Sequence, residues 1–288
     1  MRLVLTPLIL TASVLLAGCT GSKEQAASSN TPVATQAGVP VGPAVVTVHA
    51  KDFAFDAPAQ ISGGLTTFKL VNDGQTFHHM VIVRLDSGKT VADFQEAMKK
   101  QGPPPAWAVF IGGPNAPDPT KESNATLDLR AGNYVLLCLV DGPDGVPHFA
   151  KGMVHPLTVG PATGVAATAP TADITIGLKE YGFDLSKPIT AGAHTFEVRN
   201  AGAQQHEVEL IKLAPGKKVE DLLKWMQKPD GPPPGSGVGG AVFGLTGAPV
   251  YFTADFTAGD FVFICFIPDA KDQKPHFAHG MVHSFTVN

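Results

Sequence analysis

His78, Cys138, His148 and Met153 recur in the same order as His206, Cys265, His276 and Met281, at positions greater by 128, 127, 128 and 128. A thiolate, two imidazoles and a thioether make a donor set suited to an ion that cycles between Cu(I) and Cu(II). Taken singly, each residue has a plainer use. A strand histidine can be a hydrogen-bonded core residue, and a buried cysteine behaves as a small hydrophobe. Four ligand-type residues recurring in one order in both copies point instead to metal binding, with one copper ion expected per copy.

The surroundings of each set repeat as well. Asn72-Asp73-Gly74 forms a turn signal ahead of His78, and Asn200-Ala201-Gly202 does the same ahead of His206. Each cysteine follows an apolar run, Asn133 to Leu137 or Asp260 to Ile264, read as a central strand. Each methionine opens the last apolar segment of its copy. Other histidines compete as ligands. His79 adjoins His78, and strand alternation sends the two to opposite faces. The second copy has Glu207 after His206, so the shared position is the expected ligand. His155 and His283 lie two residues past each methionine and are the natural substitutes, whereas His49, His194 and His279 have no counterpart in the other copy.

The positioning elements read as mostly β. VVTVHA, LTTFKLVN, HHMVIVRL, ATLDL, NYVLLCLV and MVHPLTV are expected strands of the first copy. ADITIGL, AHTFEVRN, HEVELIKL, VYFTADF, DFVFICFI and MVHSFTV are their counterparts. One short helix interrupts each series. Thr90 to Asp93 reads as a capping-box variant, with Val91, Phe94 and Met98 on one face. Its partner carries Val219, Leu222, Leu223 and Met226. Pro103 to Pro105 and Pro232 to Pro234 cannot continue a helix, and glycine-rich segments lead from them to the next strand. The fold class expected is all-β: two tandem Greek-key β-sandwich domains, residues 44–160 and 172–288, joined by a linker at 161–171.

Each copy resembles a cupredoxin of the plastocyanin and azurin family. The resemblance lies in Ala131-Gly132-Asn133-Tyr134 through Cys138, in Gly152-Met153-Val154 with Leu157-Thr158-Val159, and in Cys265 with His276 through Met281. It implies type 1 copper, one-electron transfer and an exported location. Four residues separate His148 from Met153, which matches the family pattern; nine separate Cys138 from His148 and ten separate Cys265 from His276, which is longer than usual. Gly142, Pro143, Gly145 and Pro147 suggest a hairpin-like excursion, which either returns the histidine to the metal or leaves the site reshaped, not blue, or lost. Multicopper oxidases and copper nitrite reductases also stack such domains and place a histidine beside the type 1 cysteine. Here Cys138 is flanked by Leu137 and Leu139, and Cys265 by Ile264 and Phe266, with no His-x-His pair. The expectation is therefore that the chain is not an enzyme. A copper storage or delivery protein and a metal-free interaction module are the alternatives to a carrier.

The N-terminus and composition frame these readings. Arg2 and the apolar run from Leu3 lead to Leu16-Ala17-Gly18-Cys19, similar to a bacterial lipoprotein box. Residues 1–18 are the expected signal peptide and Cys19 the lipidated residue. Residues 19–43, rich in Ala, Ser, Thr and Gln, follow as a tether. The bilayer and an exported redox partner or copper acceptor are the expected partners. The location is the cell envelope, on its periplasmic side or outer surface. With Cys19 set aside, the other two of the three cysteines fall one per copy, which rules out a disulfide within either domain. A net charge of −4 gives no basic surface for nucleic acid.

Overall fold

The computed structural model describes residues 41–100, 103–244 and 247–288. The expected signal peptide, Cys19 and most of the tether lie outside them. In the first copy the elements are β1 (Ala44–Lys51), β2 (Ala54–Asp56), β3 (Gln60–Asn72), β4 (Val81–Leu85), α1 (Val91–Met98), β5 (Ala108–Pro114), β6 (Glu122–Leu129), β7 (Gly132–Leu137) and β8 (Val154–Ala162). The second repeats them as β9 (Ile174–Lys179), β10 (Gly182–Leu185), β11 (Gly192–Asn200), β12 (His206–Leu213), α2 (Val219–Gln227), β13 (Gly235–Phe243), β14 (Val250–Phe256), β15 (Gly259–Ile264) and β16 (Val282–Val287). The architecture is the expected all-β pair of Greek-key sandwiches, each with one inserted helix.

Alternating side chains build each sandwich. In β3, Phe68 and Leu70 point to the core while Lys69 pairs outward with Glu122. β1 runs parallel to β3, with Val46 opposite Phe68, and β6 runs antiparallel to β3 on its other side. The strands before the cysteines are buried on both faces: Tyr134 and Leu136 face the main core, Val135 and Leu137 a second cluster under α1. Phe94 of α1 plugs that second cluster. The expected capping box is present, Asp93 N–H donating to the Thr90 hydroxyl and Thr90 N–H to the Asp93 carboxylate. Leu222 of α2 packs in the same way against Ile211, Val262 and Ile264.

The glycine-rich segments differ from expectation, because they are strands rather than connections. β5 (AVFIGGP) and β13 (GSGVGGAVF) pair antiparallel with each other, Val242 opposite Gly113 and Phe243 opposite Gly112. One sheet therefore crosses both copies in the order β8-β7-β4-β5-β13-β12-β15-β16, which reads alike from either end. The glycines have a steric reason. A Cβ on Gly113 would lie 1.9 Å from the Met80 carbonyl oxygen, and one on Gly240 would lie 2.0 Å from that of Val208. The main core likewise joins Phe68, Ile82 and Cys138 to Phe196, Val208 and Cys265. The two copies are fused rather than strung together.

Candidate metal centres

The two histidines and the cysteine of each predicted set converge. The ligating atoms of His78, Cys138 and His148 lie within 4.8 Å of one another, as do those of His206, Cys265 and His276. In the first set the His78 and His148 Nδ1 atoms are 3.1 Å apart, and His148 Nδ1 lies 3.6 Å from Cys138 Sγ. In the second set the same separations are 3.1 and 3.4 Å. All six residues are buried. A single ion about 2.0 Å from each nitrogen and about 2.3 Å from sulfur would see angles of roughly 100–110° across these distances, so one ion fits each group.

The long loops return the histidine as hairpins. Gly142 N–H donates to Val146 O, and His148 N–H to Val140 O at 2.9 Å. In the second copy Asp269 N–H donates to Lys274 O and His276 N–H to Ile267 O, also at 2.9 Å. A backbone knot then ties the loop residues together. Phe149 N–H donates to Cys138 O (2.8 Å), Met153 N–H to His148 O (3.0 Å) and Cys138 N–H to Met153 O (3.3 Å). Phe277, Met281 and Cys265 make the same three bonds at 2.9, 3.0 and 3.3 Å. Met153 and Met281 are fully buried against this knot.

The first histidine of each set is held by the turn before it. The Asn72 side chain accepts from Gly74 N–H and donates to Thr76 O; Asn200 does the same with Gly202 and Gln204. A Cβ on Gly74 would sit 2.5 Å from His78 Nε2, and one on Gly202 would sit 2.7 Å from His206 Nε2. Only glycine leaves room for the ring.

Two residues per copy belong to these centres that sequence reasoning missed. Asp52 Oδ1 accepts from Gln75 N–H and pairs with His78 Nε2, each at 3.0 Å. These contacts, the Gln75 amide foremost, hold the Asp52 carboxyl below its usual range. The carboxylate draws the imidazole proton to Nε2 and leaves the Nδ1 lone pair facing the cluster. Its neighbour Phe53 packs edge-on to His148 at 5.2 Å between ring centroids, in a left-handed backbone conformation (φ 63°) rare for an aromatic residue. Glu180 and Tyr181 occupy the same places, with Tyr181 at φ 62° and 5.6 Å from His276. The signal was present in Lys51-Asp52-Phe53 and Lys179-Glu180-Tyr181, which share the offset of 128. It was masked because neither acid lies in a strand that carries a ligand.

His79 turns away from the cluster, as strand alternation required. Its Nε2 accepts from Leu139 N–H at 2.8 Å, and burial lowers its pKa to about 4. Glu207 does the equivalent work, accepting from Phe266 N–H at 2.8 Å, with a pKa raised to about 7 by burial. The substitutes are not recruited. His155 lies 3.3 Å from Pro58 O, and His283 stacks near Phe263. His49 pairs with Asp73, and His194 with Asp173. Cys138 and Cys265 are free thiols, and burial raises both pKa values, that of Cys138 to about 12. An ion must therefore displace the thiol proton. Desolvation lowers the pKa of all four cluster histidines, that of His206 to about 4, so they are neutral and ready to donate a lone pair at neutral pH. A third group, Asp269, Asp272 and His279, also has converging donor atoms. Asp269 there is already hydrogen-bonded to Tyr181, Gln204 and Lys271, and His279–Asp272 takes the place of the Lys151–Asp144 ion pair of the first copy.

A scan against protein families finds no match, and a search of curated proteins finds none either. Solved structures do match. Dithionite-reduced auracyanin from the photosynthetic bacterium Roseiflexus castenholzii is 24% identical, covering 42% of this chain and 99% of its own, at a TM-score of 0.30. A blue copper oxidase from Nitrosomonas europaea (14% identity, TM-score 0.26) covers 85% of this chain and 86% of its own. A copper nitrite reductase from the same organism (13% identity, TM-score 0.26) covers 85% and 94%. The expectation that the chain is not an enzyme is corrected: proteins named as an oxidase and a nitrite reductase match across 85% of the chain. The lack of a histidine beside each cysteine bears on one route to a second copper and not on catalysis at large. Among the described residues no helix is long and apolar enough to cross a membrane.

Proposed function

We propose that each cupredoxin-like copy binds one copper ion and that the protein is a one-electron carrier of the cell envelope, anchored through an acylated Cys19. The observation that carries this reading is the paired convergence of one Sγ and two Nδ1 atoms in buried clusters of nearly equal dimensions. Copper supplies the Cu(I)/Cu(II) couple. His78, Cys138 and His148 would hold it in the first copy and His206, Cys265 and His276 in the second, with the Met153 and Met281 thioethers as further, weaker donors.

The protein's own residues do the rest. Backbone knots between cysteine, histidine and methionine keep the donor atoms in place as the charge changes, which limits reorganisation. Asp52 fixes the tautomer of His78. Phe53 and Tyr181 cover the loop histidines and exclude water. The partner is an exported redox protein or copper acceptor, reached from the membrane surface by the tether.

The test is copper stoichiometry with visible absorption and electron paramagnetic resonance on a soluble form beginning at Gly21. Two coppers per chain with intense thiolate-to-copper absorption are expected. Failure to bind copper in either oxidation state would sink the reading.

A further inference from the structure

A chain of buried side chains runs between the two centres. Behind the cysteines, Glu207 N–H donates to Cys265 Sγ at 3.4 Å and Glu207 Oε1 accepts from Phe266 N–H at 2.8 Å, while His79 Nε2 accepts from Leu139 N–H, next to Cys138, at 2.8 Å. The side chains of these two residues are joined through Asn115, which lies just beyond β5. Because His79 Nε2 accepts from Leu139 N–H, its proton is on Nδ1, which serves the hydrogen bond to the Asn115 side chain. Asn115 Nδ2 then donates to Glu207 Oε2 at 3.1 Å. His79, Asn115 and Glu207 are all buried, at 8%, 2% and 3% exposure. The peptide units that follow the two cysteines are thus connected through three residues, across the interface between the copies. Asn115 is pinned in turn by its N–H to Gly240 O, by Ala116 N–H to its Oδ1, and by Nδ2 to Val208 O.

Electrons cross a protein more readily through covalent and hydrogen bonds than across van der Waals gaps. We propose that His79, Asn115 and Glu207 form the route by which the two copper centres exchange electrons, so that the protein works as a two-site relay rather than as two independent carriers. This rests on the copper reading above. In the exchange one electron leaves the reduced centre and reaches the oxidised one; no bond breaks and no proton is consumed. Asn115 is a positioning residue: it touches neither metal cluster but closes the gap between the side chains that accept from the amides next to both cysteines.

The test uses the full chain in detergent, loaded with copper. A Met281→Leu background removes the thioether proposed as a donor to the second centre and should shift the potential and absorption of that centre alone, which tells the two apart. After a one-electron reducing pulse, a first-order redistribution independent of protein concentration is expected. Asn115→Leu should slow it by about tenfold with both coppers retained. Where leucine loosens the interface, Asn115→Ala adds no bulk, removes both side-chain bonds and should slow it likewise. In metal-free protein the His79 Nδ1 proton should be protected from exchange and lose that protection in Asn115→Leu. An unchanged rate in both variants, a redistribution that scales with protein concentration, or an unprotected His79 proton would overturn the relay. Fewer than two coppers in the unaltered chain would instead sink the underlying reading, and the stoichiometry measured beforehand separates the two failures.

Discussion

The two centres share their donor atoms and their backbone knots, yet their outer shells diverge. In the first copy Asp52 grips His78 Nε2 directly at 3.0 Å. In the second, Glu180 is one methylene longer and spends its carboxylate on Ala203 and Gln204 N–H. Its oxygen stops 3.9 Å from His206 Nε2, which is buried without a partner. The loop histidine differs as well. His148 lies under Phe53, over which Lys151 stacks at 4.9 Å. His276 lies under Tyr181, whose hydroxyl donates to buried Asp269, a residue that replaces Gly142 of the first copy. The two copies share the geometry of the donor atoms and differ in the electrostatics around them, the pattern expected if the two sites work at different potentials.

Removing a thiolate gives the largest effect. Cys138→Ser and Cys265→Ser are each expected to cost one copper per chain, read by stoichiometry, and to abolish the thiolate absorption of their own centre only. If either variant emptied both centres, the independence of the two donor sets would be refuted.

The acids come next. Asp52→Ala should weaken copper binding at the first centre by about 10–100-fold, the usual cost of losing a partner that orients a ligand histidine. Glu180→Ala should cost the second centre clearly less, because it makes no hydrogen bond to His206. Competition with a Cu(I) chelator measures both; equal losses would erase the distinction drawn between them.

Acid and base should act oppositely on the residues behind the cysteines. The folded state holds His79 neutral down to about pH 4, against 6.5 for an exposed histidine, so its contribution to stability falls as pH drops from 6.5 towards 4. Glu207 stays protonated up to about pH 7, against 4.5, so its contribution falls as pH rises from 4.5 to 7. In thermal unfolding of metal-free protein, His79→Gln should gain on the parent chain on acidification, and Glu207→Gln should gain on alkalinisation. Parallel pH profiles for the two variants would contradict this.

The smallest effect is expected from Tyr181→Phe, which makes the second mouth resemble the first and frees Asp269 from one donor. Tm should fall by no more than about 2–4 °C, with copper content unchanged. A lost copper would mean that Tyr181 supports the ion itself.

Much of this was legible in the chain because it is local or periodic. Strand alternation sent His78 and His79 to opposite faces and identified the shared ligand position. The capping box at Thr90 and Asp93 is a contact over three residues. The turns at Asn72 and Asn200 carry their own hydrogen bonds. The strands β5 and β13 were missed because their glycines read as breaks. Their role, close approach of backbones from opposite copies, has no signature in either segment alone. Asp52, Glu180 and Asn115 were missed for the same reason, since each acts on a residue far along the chain.

The sequence by itself determined the two donor sets, their order, and the β pattern that carries them, because ligand chemistry and side-chain periodicity belong to the residues. Only the tertiary structure decided that the long loops close as hairpins over each cluster, that one sheet spans both copies, and that His79, Asn115 and Glu207 meet between the centres. Those outcomes depend on buried polar groups finding partners across 36 to 92 residues of chain, from His79 to Asn115 and from Asn115 to Glu207. Folding alone brings such groups together, because a buried donor left without an acceptor is costly.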